Sequence, residues 1–205
     1  MLPAPKIKIC GMRRTADIEA ANALKPDYVG FVFAAGRRRC IPLGQALELR
    51  RLLDPAIKAV GVFVDEAVEE IAAIRRSGAI DIVQLHGGEA DEERAAALRQ
   101  VVPGTPLIRA FKVRSASDLE AAEASAADFI LLDAGAGEGR AFDWTLLAGH
   151  PLQRPWFLAW GLGPDNVAEA ITRLRPFAVD ASSSLEADGF KDFAKMEKFI
   201  SEARK

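Results

Sequence analysis

The chain has 205 residues, half of them hydrophobic, with 27 Lys and Arg against 29 Asp and Glu and a formal charge of −2. That composition excludes a disordered chain and argues against a dedicated nucleic-acid binder. Two cysteines at unrelated spacing give neither a disulfide framework nor a zinc signature, and they fit a reducing cytoplasm.

No apolar run is long enough to span a bilayer. The opening Met1-Leu2-Pro3-Ala4-Pro5 runs straight into the first predicted strand without a signal-peptide core. That strand is Lys6-Ile7-Lys8-Ile9-Cys10-Gly11, where charged and apolar residues alternate with period two. Thr15 and Asp17 then mark a helix start, and Pro26 closes the helix predicted over 15–24. Tyr28-Val29-Gly30-Phe31-Val32-Phe33 is a continuous apolar run, as expected for a strand covered on both faces. A loop with Arg37-Arg38-Arg39 follows, then a leucine-rich helix over 44–53.

The third strand is Lys58-Ala59-Val60-Gly61-Val62-Phe63-Val64, with Asp65 as expected N-cap of a helix over 66–77 and Gly78 at its C-terminal end. Ile80 to Gly87 is a fourth strand carrying His86 near its end, and Asp91 opens the next helix. Leu107 to Lys112 is the fifth, followed by a helix with an expected Ser117–Glu120 capping box. Asp128 to Asp133 is the sixth, ending in a carboxylate ahead of the glycine-rich 135–139 loop, with Asp143 capping a short helix over 144–149. Trp156 to Gly161 is the seventh, and Gly163-Pro164-Asp165 leads into a helix over 165–174. Phe177 to Asp180 is the eighth, then come Ser182-Ser183-Ser184 and a last helix from about Asp192.

Eight strand–helix repeats of roughly two dozen residues imply a parallel sheet, and an unbroken run of eight favours the closed (β/α)8 TIM barrel over an open doubly wound sheet. A single-domain barrel over 1–205 is expected, with lean loops, because about 250 residues is typical of the fold.

In such a barrel the carboxyl ends of the strands share one mouth. Cys10, His86, Lys112, Asp133 and the serine run would all reach it, with the arginine loop nearby. A thiol and a carboxylate across the mouth form a base and acid pair, suited to removing a proton from carbon and delivering one to oxygen. Gly161, Gly163 and the serines offer amides and hydroxyls to an anion near helix starts, where barrels often hold phosphate. One arginine of the triplet can clamp a carboxylate in a bidentate fork. The segment 135–139 lacks the Gly-Lys-Ser/Thr ending of a nucleotide-binding P-loop. His86 and His150 are far apart in sequence, so no metal site is expected.

These segments together resemble the phosphoribosylanthranilate isomerase family of tryptophan biosynthesis. The match is carried in order by Lys8-Ile9-Cys10-Gly11, Gly30-Phe31-Val32-Phe33, Gly61-Val62-Phe63-Val64, Gln84-Leu85-His86-Gly87 and Leu131-Leu132-Asp133. It continues through Phe142-Asp143-Trp144, Gly161-Leu162-Gly163-Pro164-Asp165-Asn166-Val167 and Val179-Asp180-Ala181-Ser182-Ser183. The resemblance implies an Amadori rearrangement of N-(5-phosphoribosyl)anthranilate, with Cys10 as general base and Asp133 as general acid. It also implies Arg39 at the substrate's carboxylate and Gly161, Ser182 and Ser183 at its phosphate; His86 is a candidate substrate contact from its strand-end position, beside a purely structural role there. No metal or organic cofactor is implied. The expected partner is the phosphorylated sugar–anthranilate substrate, with no nucleic acid or membrane, for a cytoplasmic monomer or homodimer. Another sugar-phosphate isomerase, or an aldolase using Lys112, is the alternative on the same barrel.

The chain departs from the family pattern where Trp160-Gly161 replaces Gly-Gly, Ser182-Ser183-Ser184 replaces Ser-Ser-Gly, and the arginine loop lacks Ser-Pro-Arg. An indole at 160 is expected either to point away from the mouth or to crowd the phosphate. Ser184 is expected to be strained if its backbone needs a positive φ. No disulfide between Cys10 and Cys40 is expected.

Overall fold

The computed structural model describes residues 4–88, 91–133, 147, 152–159 and 161–205. Eight parallel strands close on themselves in chain order: β1 Lys6–Cys10, β2 Tyr28–Val32, β3 Lys58–Phe63, β4 Ile82–Leu85, β5 Leu107–Lys112, β6 Phe129–Asp133, β7 Trp156–Leu158 and β8 Ala178–Ala181. β8 pairs back onto β1 with Lys8 opposite Asp180. The described helices are α1 Thr15–Leu24, α2 Leu43–Leu52, α3 Val68–Arg76, α4 Asp91–Val101, α5 Ala116–Ala124, α6 Val167–Leu174 and α7 Phe193–Ala203. The chain therefore folds as the TIM barrel that its repeat implies.

Strand alternation sorts side chains between two layers. Ile7 and Ile9 of β1, Val29 and Phe31 of β2, Ile130 and Leu132 of β6 and Val179 of β8 point outward into a core shared with Ile18, Leu49, Leu98, Val167 and Phe199 of the helices. Each such aliphatic or aromatic side chain contributes about 1.5–3 kcal/mol by leaving water. The alternate positions point inward: Val60, Ile82, Ile108, Leu131, Phe157 and Ala178 fill the barrel itself. Above them Val32, Ala34 and Val62 pack with Cys10 and Val64. A residue that continues an inward series at a strand's carboxyl end is thereby delivered to the mouth.

Local chemistry differs from expectation at several helix starts. Asp65 does not cap α3. Glu66 turns back instead, accepting the Val64 N–H at 2.7 Å and the Ala35 N–H at 3.1 Å, and the helix begins at Val68. The capping box of α5 lies two residues earlier than expected: the Asp118 carboxylate accepts the Ser115 N–H at 3.0 Å. At α1 and α7 the expected acids act, Asp17 accepting the Arg13 and Arg14 N–H groups and Asp192 the Lys195 N–H. A short antiparallel hairpin that the sequence reading did not anticipate follows β8: β9 Glu186–Ala187 and β10 Phe190–Lys191. Its two-residue turn is Asp188-Gly189, both at positive φ. The expected Asp143 cap, the 135–139 loop and most of the 144–149 helix lie outside the described residues; Leu147 is helical and buried.

Candidate active site

Cys10 ends β1, on the same face as Lys8 one pleat below. Lys8 is fully buried, and its ammonium bridges Asp180 of β8 at 2.7 Å. Burial works against the Lys8 charge, but Asp180 and Cys10 outweigh it and hold its pKa above the ordinary value. Burial pushes the Cys10 thiol up, and Lys8 pulls it back only in part. The thiol fits because β2 has a glycine opposite: Gly30 is the register partner of Cys10, and a Cβ there would stand 2.6 Å from Sγ.

His86 follows β4, its N–H bonded to the Phe63 carbonyl at 2.8 Å. The turn after it is held by the fully buried Asp91, whose Oδ2 accepts the N–H groups of Gly87 and Gly88 at 2.8 and 2.9 Å. That frame sets His86 Nε2 3.3 Å from Oδ2 of Asp133. Asp133 continues the inward series of Phe129 and Leu131 on β6. Lys112 is its register partner on β5 and is exposed.

Arg39 lies across Gly11, which sits at φ +88 just past β1; a Cβ there would collide with the arginine's Cδ. Its guanidinium is not loose. Nε and one terminal nitrogen grip the two oxygens of Glu186 at 2.6 and 3.1 Å. Arg38 reaches the same carboxylate from the solvent side, and Arg37 is exposed.

At the eighth strand end, Ser182 donates its hydroxyl to the Cys10 carbonyl at 2.8 Å, and the exposed Ser183 opens a 3-10 turn. Gly161 is exposed at φ +50. Asn166 secures that loop, accepting the Gly163 N–H at 2.8 Å and donating to the Gly161 carbonyl at 3.3 Å. Ser184 is not among the described residues at positive φ, and its hydroxyl donates to the Leu162 carbonyl, so the anticipated strain does not arise. Trp160 lies outside the described residues. Both cysteines are free, and Cys40 is exposed with its thiol 3.5 Å from the Phe33 carbonyl.

The structure thus joins Cys10 to Ser182 and His86 to Asp133 at one mouth, with Arg39 over the β1 end. Four residues there received no role of their own from the sequence: Gly30, the inner partner Asp180, Glu186 and Lys191. An isolated glycine in an apolar strand, and an Asp-Gly turn between two short runs, were the signals that could have found Gly30 and the hairpin.

Residues 7–202 match the family model for N-(5'phosphoribosyl)anthranilate (PRA) isomerase. The chain belongs to this family. The PRA isomerase of Thermoanaerobacter sp. (strain X514) is 42% identical over 204 residues, covering 97% of this chain and 98% of the relative. A crystal structure of the PRA isomerase from Thermotoga maritima matches with a TM-score of 0.88 at 35% identity, covering 97% of this chain and 98% of that one. A crystal structure of a PRA isomerase in complex with reduced 1-(o-carboxyphenylamino)-1-deoxyribulose 5-phosphate matches at 0.86 and 35% over the same shares. The chain is accordingly an isomerase of tryptophan biosynthesis, converting N-(5-phosphoribosyl)anthranilate to the corresponding 1-deoxyribulose 5-phosphate. No described helix is long and apolar enough to cross a membrane.

Proposed function

We propose that Cys10 and Asp133 are the general base and general acid of this isomerisation. One observation carries the reading: both residues continue inward-facing series at the carboxyl ends of their strands, so both project into the same mouth. Asp133 gives a proton to the furanose ring oxygen, the C1′–O bond breaks, and the anthranilate nitrogen supplies the electron pair for an iminium. Cys10 as thiolate takes the proton from C2′, the C–H electrons form the C1′=C2′ double bond, and the C=N π pair returns to nitrogen to give an enolamine. Tautomerisation then yields the ketone. One proton is delivered and one removed, so the step balances with the iminium as electron sink.

The electrostatics set a condition on this division of labour. Burial holds the Cys10 thiol above its ordinary value, so little thiolate is present before substrate binds. The base is drawn out when a cationic iminium arrives beside it, with the Lys8 ammonium already below. Arg39 is assigned to the anthranilate carboxylate and His86, against Asp133, to a substrate contact. Gly161, Ser182 and Ser183 are assigned to the phosphate, at the loops after strands seven and eight where barrels favour anions.

The test is turnover of freshly generated phosphoribosylanthranilate, followed by loss of anthranilate fluorescence. Cys10→Ala and Asp133→Ala should each lower kcat by about 10²–10⁴-fold. Both should still bind reduced 1-(o-carboxyphenylamino)-1-deoxyribulose 5-phosphate, the product analogue seen with the related isomerase. A folded variant that keeps wild-type kcat removes that residue from the mechanism.

A further inference from the structure

We infer that Glu186, braced by Lys191 on the β9–β10 hairpin, is the positioning residue that aims the Arg39 guanidinium at the substrate's aromatic carboxylate. The inference rests on the assignment of Arg39 to that carboxylate. A guanidinium has five N–H donors and two edges that match a carboxylate. Glu186 takes one edge, Nε at 2.6 Å and a terminal nitrogen at 3.1 Å. The end-on edge, between the two terminal nitrogens, is left to a second carboxylate. The arginine is thereby presented in one orientation, and the freezing of its long side chain precedes ligand arrival, which lowers the entropy lost on binding.

Glu186 is suited to this. Its side chain is 5% exposed and that of Lys191 is 1% exposed, so neither behaves as a surface ion. Lys191 Nζ stands 2.9 Å from Glu186 Oε1, 2.9 Å from the Ser182 carbonyl and 3.4 Å from the Ser182 hydroxyl. The hairpin is fixed from the other side: Arg14 donates to the Lys191 carbonyl at 2.8 Å and Arg13 to the Gly189 carbonyl, both guanidinium groups lying over the Phe190 ring. Burial alone would raise the Glu186 pKa, but Arg39 and Lys191 hold it down to about 2, so it stays charged wherever the enzyme works. Three cations, Arg38, Arg39 and Lys191, meet this one carboxylate. The excess of positive charge suits an anionic ligand, and the Glu186 carboxylate sets which cation is offered and in which direction.

The experiment measures dissociation constants of two ligands, reduced 1-(o-carboxyphenylamino)-1-deoxyribulose 5-phosphate and its analogue lacking the ring carboxylate. Their ratio isolates recognition of the carboxylate, because phosphate and sugar contacts cancel. Arg39→Met should level the ratio to near unity. Glu186→Gln should lower it about tenfold, the scale of one misdirected charge-assisted contact, while leaving affinity for the decarboxylated ligand near wild type. Should Glu186→Gln fail to fold with Lys191 unpaired, Glu186→Gln/Lys191→Met carries the same prediction for the ratio alone, because Lys191 also holds Ser182 and its loss weakens both ligands alike. An unchanged ratio in a folded Glu186 variant overturns the positioning role while Arg39→Met still levels it. Equal weakening of both ligands overturns it as well, assigning Glu186 to general support of the fold. An Arg39→Met ratio equal to wild type overturns the Arg39 assignment itself, and the inference with it.

Discussion

One methyl group added at Gly30 tests the placement of the thiol more sharply than removal of the thiol does. A Cβ at that position stands 2.6 Å from Sγ, 3.0 Å from Cα and 3.2 Å from Cβ of Cys10. An ordinary contact is about 3.5–4.0 Å, so Sγ must retreat by about 1 Å, and the close Cα leaves the neighbouring backbone little freedom to follow. Displacing a reacting group by about 1 Å costs on the order of 10²-fold in rate, and overpacking costs about 1–3 kcal/mol of stability. Gly30→Ala should therefore show both losses, read as kcat from the fluorescence assay and as unfolding free energy in urea. Gly61→Ala is the matched control. Its Cβ meets Ile80 Cδ1 at 2.6 Å and Phe63 Cε2 at 2.9 Å, on the outer side of the sheet. It should lose about the same stability and keep kcat within about twofold. A Gly30→Ala enzyme with wild-type kcat, or a Gly61→Ala enzyme that loses as much kcat as Gly30→Ala, would refute the reasoning.

Two further outcomes follow from the charges. In a Cys40→Ser background, alkylation of Cys10 by iodoacetamide should climb with pH through 9.0 without levelling, since burial holds the thiol above that value; a plateau below neutral pH would contradict it. Glu186 has a folded value of about 2 against an ordinary 4.5, so its contribution is fully present above 4.5 and is lost as pH falls toward 2. The shift is equivalent to roughly 3 kcal/mol, which the desolvation of the ion-paired groups reduces to about 2 kcal/mol. Wild type should accordingly lose more than half of its advantage over Glu186→Gln in urea unfolding between pH 6 and pH 3, and a difference constant over that range would exclude the bridge as its source.

The barrel was legible because its strands obey period two within a repeating βα rhythm, and all eight were located to within a few residues. Cys10, His86 and Asp133 were legible for the same reason, as polar residues closing apolar strands. What escaped was chemistry between elements distant in the chain. Lys8 and Asp180 are 172 positions apart and meet only when the sheet closes. Glu186 lies in a two-residue strand, too short for a periodic signal, and it finds Arg39 across 147 positions. Helix starts were misplaced by two residues where competing acids lay close together: Glu66 beside Asp65, and Asp118 ahead of Glu120. Which carboxylate turns back to the backbone depends on tertiary approach, as when Glu66 also reaches the Ala35 N–H.

The buried Lys8–Asp180 bridge has a bearing on how the cylinder is sealed. A strand can slip along its neighbour by two residues and keep every side chain on its own face, so apolar patterning alone does not forbid such an error. Here it is forbidden by charge. One slip sets the ammonium beside the methyl group of Ala178 and the carboxylate beside the Cys10 thiol. The opposite slip sets Lys8 against Ser182 and draws Asp180 down to Lys6 near the barrel's floor. Either way an ionised group is stranded in the interior, at a cost of several kcal/mol. The ion pair acts as the key of the last joint, admitting β8 in the single alignment that also brings Ser182 to the carbonyl of Cys10.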